Sequence, residues 1–231
     1  MSLAGMGAVA IWHDITPEGR AEFYAWHGIE HMPERAGIDG FLRGRRYIAI
    51  DGNRPEYFNL YETESQATLT GSGYLERLNH PTPWTVATVK HFRGVARSLC
   101  EVAASHGEGQ GGLIATLRYA VDDASASAHR RRVVDDFLPR LARQPNIAGC
   151  HLLVADASAS AVETAEKKVR AEANLIPRWI VLVEGWGDVE PFKAQCDVLA
   201  RDPVFADATS VPALGVYALQ NSRSKTAGAR I

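Results

Sequence analysis

Pro55-Glu56-Tyr57-Phe58-Asn59-Leu60-Tyr61-Glu62 and Pro177-Arg178-Trp179-Ile180-Val181-Leu182-Val183-Glu184 read as one strand written twice in a single chain. Each opens on a proline, which a strand tolerates at its first position or edge. Each keeps leucine and glutamate in register and is rich in aromatic or β-branched residues. Working outward, the flanks repeat as well. Ile38-Asp39-Gly40-Phe41 answers Ile147-Ala148-Gly149-Cys150, His80-Pro81 answers Asp202-Pro203, and Gly94-Val95 answers Gly215-Val216.

The elements between these markers fall in the same order twice. In the first half, Ala8 to Trp12 is a strand, and Thr16-Pro17-Glu18 starts a helix with a hydroxyl, a first-turn proline and a carboxylate at the positive end of the dipole. That helix is expected to run towards Met32 and stop or kink at Pro33. Phe41 to Ile50 and Tyr57 to Tyr61 are strands joined by the turn Asp51-Gly52-Asn53-Arg54-Pro55. Ser65 to Asn79 is a glycine-interrupted helix, and Val95 to Val102 is the last strand. In the second half, Leu113 to Tyr119, a helix over Ser125 to Leu138, His151 to Val154 and the Pro177 to Glu184 strand follow in turn. The expected fold class is α+β: two tandem ferredoxin-like βαββαβ repeats packed as a pseudo-dimeric α/β barrel, with a cavity between helix and sheet in each half. The expected divisions are 7–104 for the active half, 105–112 for a glycine-rich linker, 113–221 for a structural half and 222–231 for a flexible tail.

Bulk properties narrow the partners. The chain has 231 residues, 46% hydrophobic and 23% charged, with a formal net charge of −2. That is ordinary for a globular protein and argues against nucleic-acid binding. No apolar run reaches the roughly 18 to 20 residues that span a bilayer. The N-terminus lacks a basic signal flank, so the expected setting is the cytoplasm, with a small-molecule substrate as partner and a homo-oligomer as an option. Cys100, Cys150 and Cys196 have no metal-type spacing and read as reduced core residues. No P-loop or dinucleotide fingerprint is present, and the cofactor expected is none.

The halves serve as controls for one another. His27 aligns with Val133, Glu30 with Asp136 and His31 with Phe137; Tyr57, Asn59 and Tyr61 align with Trp179, Val181 and Val183. Strand residues two apart share a face. One surface is therefore polar in the first half and apolar in the second, although burying an unpaired amide or phenol costs about 1–3 kcal/mol.

His31-Met32-Pro33, then Gly40-Phe41 and the arginine-rich strand ending Arg46-Tyr47, resemble the EthD-like branch of the dimeric α/β-barrel superfamily. The resemblance implies the ferredoxin-like topology. It leaves the reaction open, since that superfamily holds muconolactone isomerases, polyketide cyclases, cofactor-free monooxygenases and haem proteins.

The candidate catalytic set is His31, Tyr61, Asn59, Tyr57 and His13. His31 is the acid or base, because imidazole titrates near neutrality; Glu30 and Glu34 either orient it or compete with it. Tyr57 and Tyr61 can donate to an oxyanion, and His13 is a second acid/base or a satisfied core histidine. The candidate substrate-binding set is His27, Glu30, Arg35, Arg43, Arg46, Tyr47 and Trp84. An arginine fork suits a carboxylate or enolate; a charged strand edge is the competing role for each arginine. Arg43, Arg45 and Tyr47 share one strand face, with Arg46 on the other. His27-Gly28-Ile29-Glu30-His31 also fits the H-x-x-E-H zinc pattern, with His13 or His91 as third ligand, but no metal is expected. One conflict stands: Ala21, Ala25, Ile29 and Met32 form the obvious packing stripe, which turns both histidines away from the sheet unless the helix unwinds. The expected function is a cofactor-independent isomerase, cyclase or lyase acting on a small, partly hydrophobic carbonyl- or carboxylate-bearing metabolite. The alternatives are a non-catalytic binding or sensing module, and a haem-binding or cofactor-free oxygenase.

Overall fold

The computed structural model describes residues 2–52, 54–170 and 172–225. Eight strands, β1 (Gly7–Ile15), β2 (Phe41–Ala49), β3 (Tyr57–Thr63), β4 (Phe92–His106), β5 (Leu113–Tyr119), β6 (Ile147–Ala155), β7 (Trp179–Gly185) and β8 (Ala213–Ser224), close into an antiparallel barrel in the order β1-β3-β2-β8-β5-β7-β6-β4. Each half contributes four adjacent strands. The seams between halves are β2 with β8 and β4 with β6. The two strands of matching sequence, β3 and β7, each lie inside a half-sheet, β3 against β1 and β2, β7 against β5 and β6. The mixed α+β class and the barrel are as expected. Ser222, placed in a tail by its position, continues β8 opposite Arg45; residues 226–231 and Asn53 of the turn lie outside the described residues.

The helices pack on the outside. In the first half they are α1 (Arg20–Trp26), α2 (Met32–Gly37), α3 (Ser72–Asn79) and α4 (Pro83–Val89); in the second, α5 (Asp123–Arg132), α6 (Leu138–Leu141), α7 (Ala157–Ala161), α8 (Ala165–Lys168) and α9 (Val189–Leu199). Pro33 does not end the first helix. A π-helical turn, His27–His31, joins α1 to α2, and Met32 N–H reaches back five residues to the His27 carbonyl. A proline ring collides with the carbonyl four residues earlier in an α-helix; the wider π turn moves that carbonyl aside. The second half solves the same problem the same way, with a π turn over Val133–Phe137 ahead of Pro139.

The π turn also resolves the packing conflict, against the expected stripe. Ile29 is 70% exposed and Ala21 is exposed, whereas Phe23, Trp26, His27, His31 and Met32 are buried. Bonding over five residues brings side chains four apart closer to one line, so His27 and His31 both turn to the sheet.

Inside the barrel, Trp12, Tyr47, Phe58, Leu60, Ile114, Leu153, Ile180, Leu182 and Tyr217 form one core. An ion cluster lies within the barrel as well. Glu62 accepts from Arg43 at 2.6 and 2.9 Å and from Arg45 at 2.9 Å, and Glu184 accepts from Arg45 at 2.8 and 3.0 Å. Glu62 of β3 and Glu184 of β7 therefore neutralise one arginine from opposite sides of the barrel. Arg43 and Tyr47 belong to this interior, which removes them from any site under the helices. Cys100, Cys150 and Cys196 are free and buried. Among the described residues no helix is long and apolar enough to cross a membrane.

Candidate active site

Between the outer face of a half-sheet and its helices the two halves differ. In the second half Val133, Phe137, Trp179, Val181, Val183, Phe192 and Leu199 belong to one continuous core, so the cavity expected there is filled. In the first half the equivalent layer splits into two clusters, one around Phe41, Tyr61, Tyr74 and Leu99 and one around Phe23, Trp26, Tyr57 and Phe92. The histidines sit between them. A hollow of about 20 Å³ remains there, lined by Ile11, Trp26, His27, His31, Asn59, Tyr61, Phe92, Glu166 and Arg170. That volume accommodates about one water-sized group, so a larger molecule enters only when the lining side chains move apart.

His27 Nε2 lies 3.0 Å from Tyr61 Oη, and the buried His27 Nδ1 has no partner. The His31 ring packs on Trp26 at 4.2 Å between centroids, 5.5 Å from His27, and its buried Nδ1 is likewise unpartnered. His13 is wedged parallel to Phe92 at 4.1 Å. Its Nδ1 lies 3.2 Å from the Asp14 carbonyl and its Nε2 3.0 Å from Asn59 Nδ2. These contacts assign His13 the Nδ1–H tautomer, with Asn59 donating to Nε2, and they leave Asn59 Oδ1 buried without a partner. Gly44 has a packing role here. A Cβ at that position would stand 2.9 Å from the Tyr61 ring, so only glycine lets the ring lie across β2 towards His27.

Burial, first of all, keeps all three imidazoles neutral. It lowers His13 from 6.5 to about 3, and it takes His27 and His31 well below 6.5, with the nearby cations Arg46 and Arg35 and each other's charge opposing protonation further. Burial likewise raises the Tyr61 phenol well above its usual range, so it stays protonated as a donor. Neutral imidazoles beside an un-ionised phenol can accept a proton from a bound molecule and stabilise an oxygen anion.

The other expected residues divide. Tyr57 is buried, with its hydroxyl 2.8 Å from both Arg20 and Tyr24. Arg46 lies on the helix side, stacked over Tyr24 at 4.8 Å and donating to Gln220, with Nη1 unpartnered. Arg35 is spent on Glu34 at 2.9 Å and Glu166 at 2.8 Å. Glu30 accepts from Thr82 and Thr85, pinning α4 rather than orienting His31. Trp84 is half-buried on α4, donates to Glu22 and does not line the hollow. His91 bonds Thr16, so neither of these two serves His31. Sequence reasoning missed Glu166 and Arg170. Both come from the second half, on the connection between β6 and β7 that carries α7 and α8. The readable signal was length: the matching connection between β2 and β3 is a short turn. The second half is thus more than scaffold.

No family model matches the sequence, and no curated protein does. Solved structures match over nearly the whole chain at low identity. An anthrone oxidase-like protein is 14% identical, with a TM-score of 0.66, covering 97% of this chain and 96% of that one. A putative monooxygenase from Lactobacillus acidophilus is 11% identical, with a TM-score of 0.56 over 95% and 97%. A putative chlorite dismutase is 6% identical, with a TM-score of 0.56 over 94% and 96%. At such identities the likeness is one of fold: this chain has the dimeric α/β-barrel architecture of these ferredoxin-like proteins, built from a single polypeptide.

Proposed function

We propose that the first half is a cofactor-independent enzyme in which a neutral imidazole, His31, removes a proton from an activated C–H or O–H of a small, partly aromatic carbonyl compound. Tyr61 polarises the carbonyl, Asn59 Oδ1 accepts from a substrate O–H, and His27, bonded to Tyr61, relays or shares the proton. One observation carries the reading: His27, His31, Asn59 and Arg170 all line one hollow, and each holds a buried polar atom without a partner among the described residues. Each such atom costs the fold about 1–3 kcal/mol, and the second half shows the same architecture with Val133, Phe137 and Val181 instead. Proton removal creates an imidazolium beside a new anion, and their attraction offsets the burial that otherwise disfavours the charged imidazole.

The carbanion has two fates. Reprotonation at another atom gives isomerase, cyclase or lyase chemistry. Reaction with dioxygen gives oxidation, and the neighbours described as anthrone oxidase-like and as a putative monooxygenase favour this outcome. The test uses anthrone, taken from the first neighbour's description. Exchange of its acidic C–H is followed in deuterated buffer without oxygen, and oxygen uptake is followed in air. The expectation is that both occur and that both fall by about 100-fold or more in His31→Gln. Exchange without uptake selects the isomerase, cyclase or lyase outcome. An absence of exchange with anthrone and with other enolisable phenols, together with a metabolite retained in native mass spectrometry, would replace the enzyme by a binding module.

A further inference from the structure

We propose that the molecule taken up between helix and sheet is an anion, a carboxylate or ionised phenol on a flat apolar body, and that Arg170 holds its charge beside the two imidazoles. The inference rests on the proposed site but does not require the reaction. Arg170 reaches that site from the opposite half. Its Nη2 donates to Glu166 at 2.9 Å, its Nη1 to Asn174 at 3.2 Å, and its guanidinium lies 5.9 Å from the Phe92 ring centroid. Three contacts therefore fix the group, while its buried Nε–H has no partner and the residue lines the hollow with His27 and His31. A guanidinium held on one edge and free on the other presents a donor to whatever enters.

The charge balance around the hollow has the same sign. Glu166 is shared between Arg170 and Arg35, with Arg97 also close enough to act on it, and Glu34 pairs with Arg35, with Arg77 and Glu30 also acting on it. Four guanidinium groups thus face three carboxylates. On the sheet side Arg46, 7% exposed, is bonded to the neutral Gln220, and among the described residues it has no carboxylate partner. The histidines add no positive charge, because protonation there is opposed. Burying a cation without an anion is expensive, and a ligand anion removes that cost. The remaining walls, Trp26, Phe92 and Tyr61, are aromatic faces suited to a planar body.

The experiment compares 1-naphthoate with its uncharged isostere 1-naphthamide by calorimetric titration, on the full chain and on Arg170→Gln and Arg170→Lys. Removing Arg170 leaves Glu166 paired with Arg35, so Arg170→Gln strands no carboxylate and is expected to fold, which near-ultraviolet circular dichroism checks. The expected result is naphthoate binding about tenfold or more tighter than naphthamide, falling to within about threefold in Arg170→Gln and partly recovering in Arg170→Lys. Equal affinities, tighter binding of the amide, no binding of either compound at millimolar concentration, or a preference that persists in Arg170→Gln would overturn the proposal. Naphthoate preference without any His31-dependent proton exchange leaves the anion site standing and removes the enzyme; exchange without the preference does the reverse.

Discussion

Acidification perturbs this fold through the three buried imidazoles of the first half. Burial lowers His13 from 6.5 to about 3 and takes His27 and His31 well below 6.5. In the unfolded chain each takes up its proton near pH 6.5. Below that pH the unfolded state therefore binds more protons than the folded one, and stability falls as pH falls. The full contribution is present above about pH 6.5 and, for His13, is lost progressively towards pH 3. At about 1.4 kcal/mol per pH unit, His13 alone costs about 2 kcal/mol by pH 5, and His27 and His31 add to that loss in the same direction. A domain's whole stability is about 5–15 kcal/mol.

Among the carboxylates, Glu34, which burial raises above 4.5, opposes the trend, but it is present both in the unmodified chain and in His27→Val and cancels. Glu184, which burial pushes up but His151 and Arg45 hold down to about 2, loses its contribution only below its ordinary 4.5. The assay is urea denaturation at pH 7.5, 6.0, 5.5 and 5.0, on the unmodified chain and on His27→Val, the residue at the aligned position of the second half. The variant strands the Tyr61 hydroxyl, a pH-independent loss of about 1–3 kcal/mol. Its stability should nevertheless fall less steeply with acid, because one proton-excluding ring is gone. His129, also lowered by burial but held up by Asp207, is present in both proteins and cancels. Stability that stays flat from pH 7.5 to 5, or a slope unchanged in His27→Val, would refute the claim that these rings are buried and neutral.

Other changes probe the supports of the site. Glu62→Gln leaves Arg43 and Arg45 short of an anion inside the barrel and should cost about 3–5 kcal/mol in urea denaturation. Ile29→Lys, at an exposed position, should stay within about 0.5 kcal/mol, whereas Trp26→Ala should cost about 3–5 kcal/mol; the reverse order would mean that the expected stripe packs after all. Gly44→Ala pushes the Tyr61 ring off β2 and should cost about 1–3 kcal/mol, with proton exchange weakened in the same variant.

The barrel was legible because its evidence is periodic. Tyr57, Asn59 and Tyr61 alternate with Phe58, Leu60 and Glu62, and the order of elements recurs around the same prolines and glycines. The polar face of β3, and its apolar counterpart on β7, could be read in the same way. The orientation of His27 and His31 could not, because α-helical spacing puts Ile29 on the packing stripe and the histidines off it, and only a turn bonded over five residues turns the rings inward. Pro33 was a clue read too strongly: proline forbids an ordinary α-helical turn, not a wider one. Arg43 and Arg45 were placed correctly on one strand face, but sequence could not say that this face is the barrel interior, where a carboxylate from each half awaits them. Arg170 was out of reach for another reason, since no local pattern shows that one half's connection lies over the other half's helices.

The contrast between halves also shows where the stability for such a site comes from. The second half does bury a histidine, His129, yet it satisfies both ring nitrogens, with Tyr119 at 2.9 Å and Asp207 at 3.1 Å. Under the same kind of helix, His27 bonds Tyr61 through Nε2, while among the described residues its Nδ1 and the Nδ1 of His31 have no partner. A symmetric pair of identical subunits would have to bear the cost of unpaired groups twice. In one chain, the half filled by Val133, Phe137, Val181 and Val183 can stabilise a barrel whose other half stays polar. The shared interior makes the coupling direct, because Arg45 of the polar half is bonded to Glu184 of the apolar one. It follows that substitutions in the second-half core, far from the hollow, should lower the tolerance of the first half to acid, because both halves draw on one cooperative unfolding free energy.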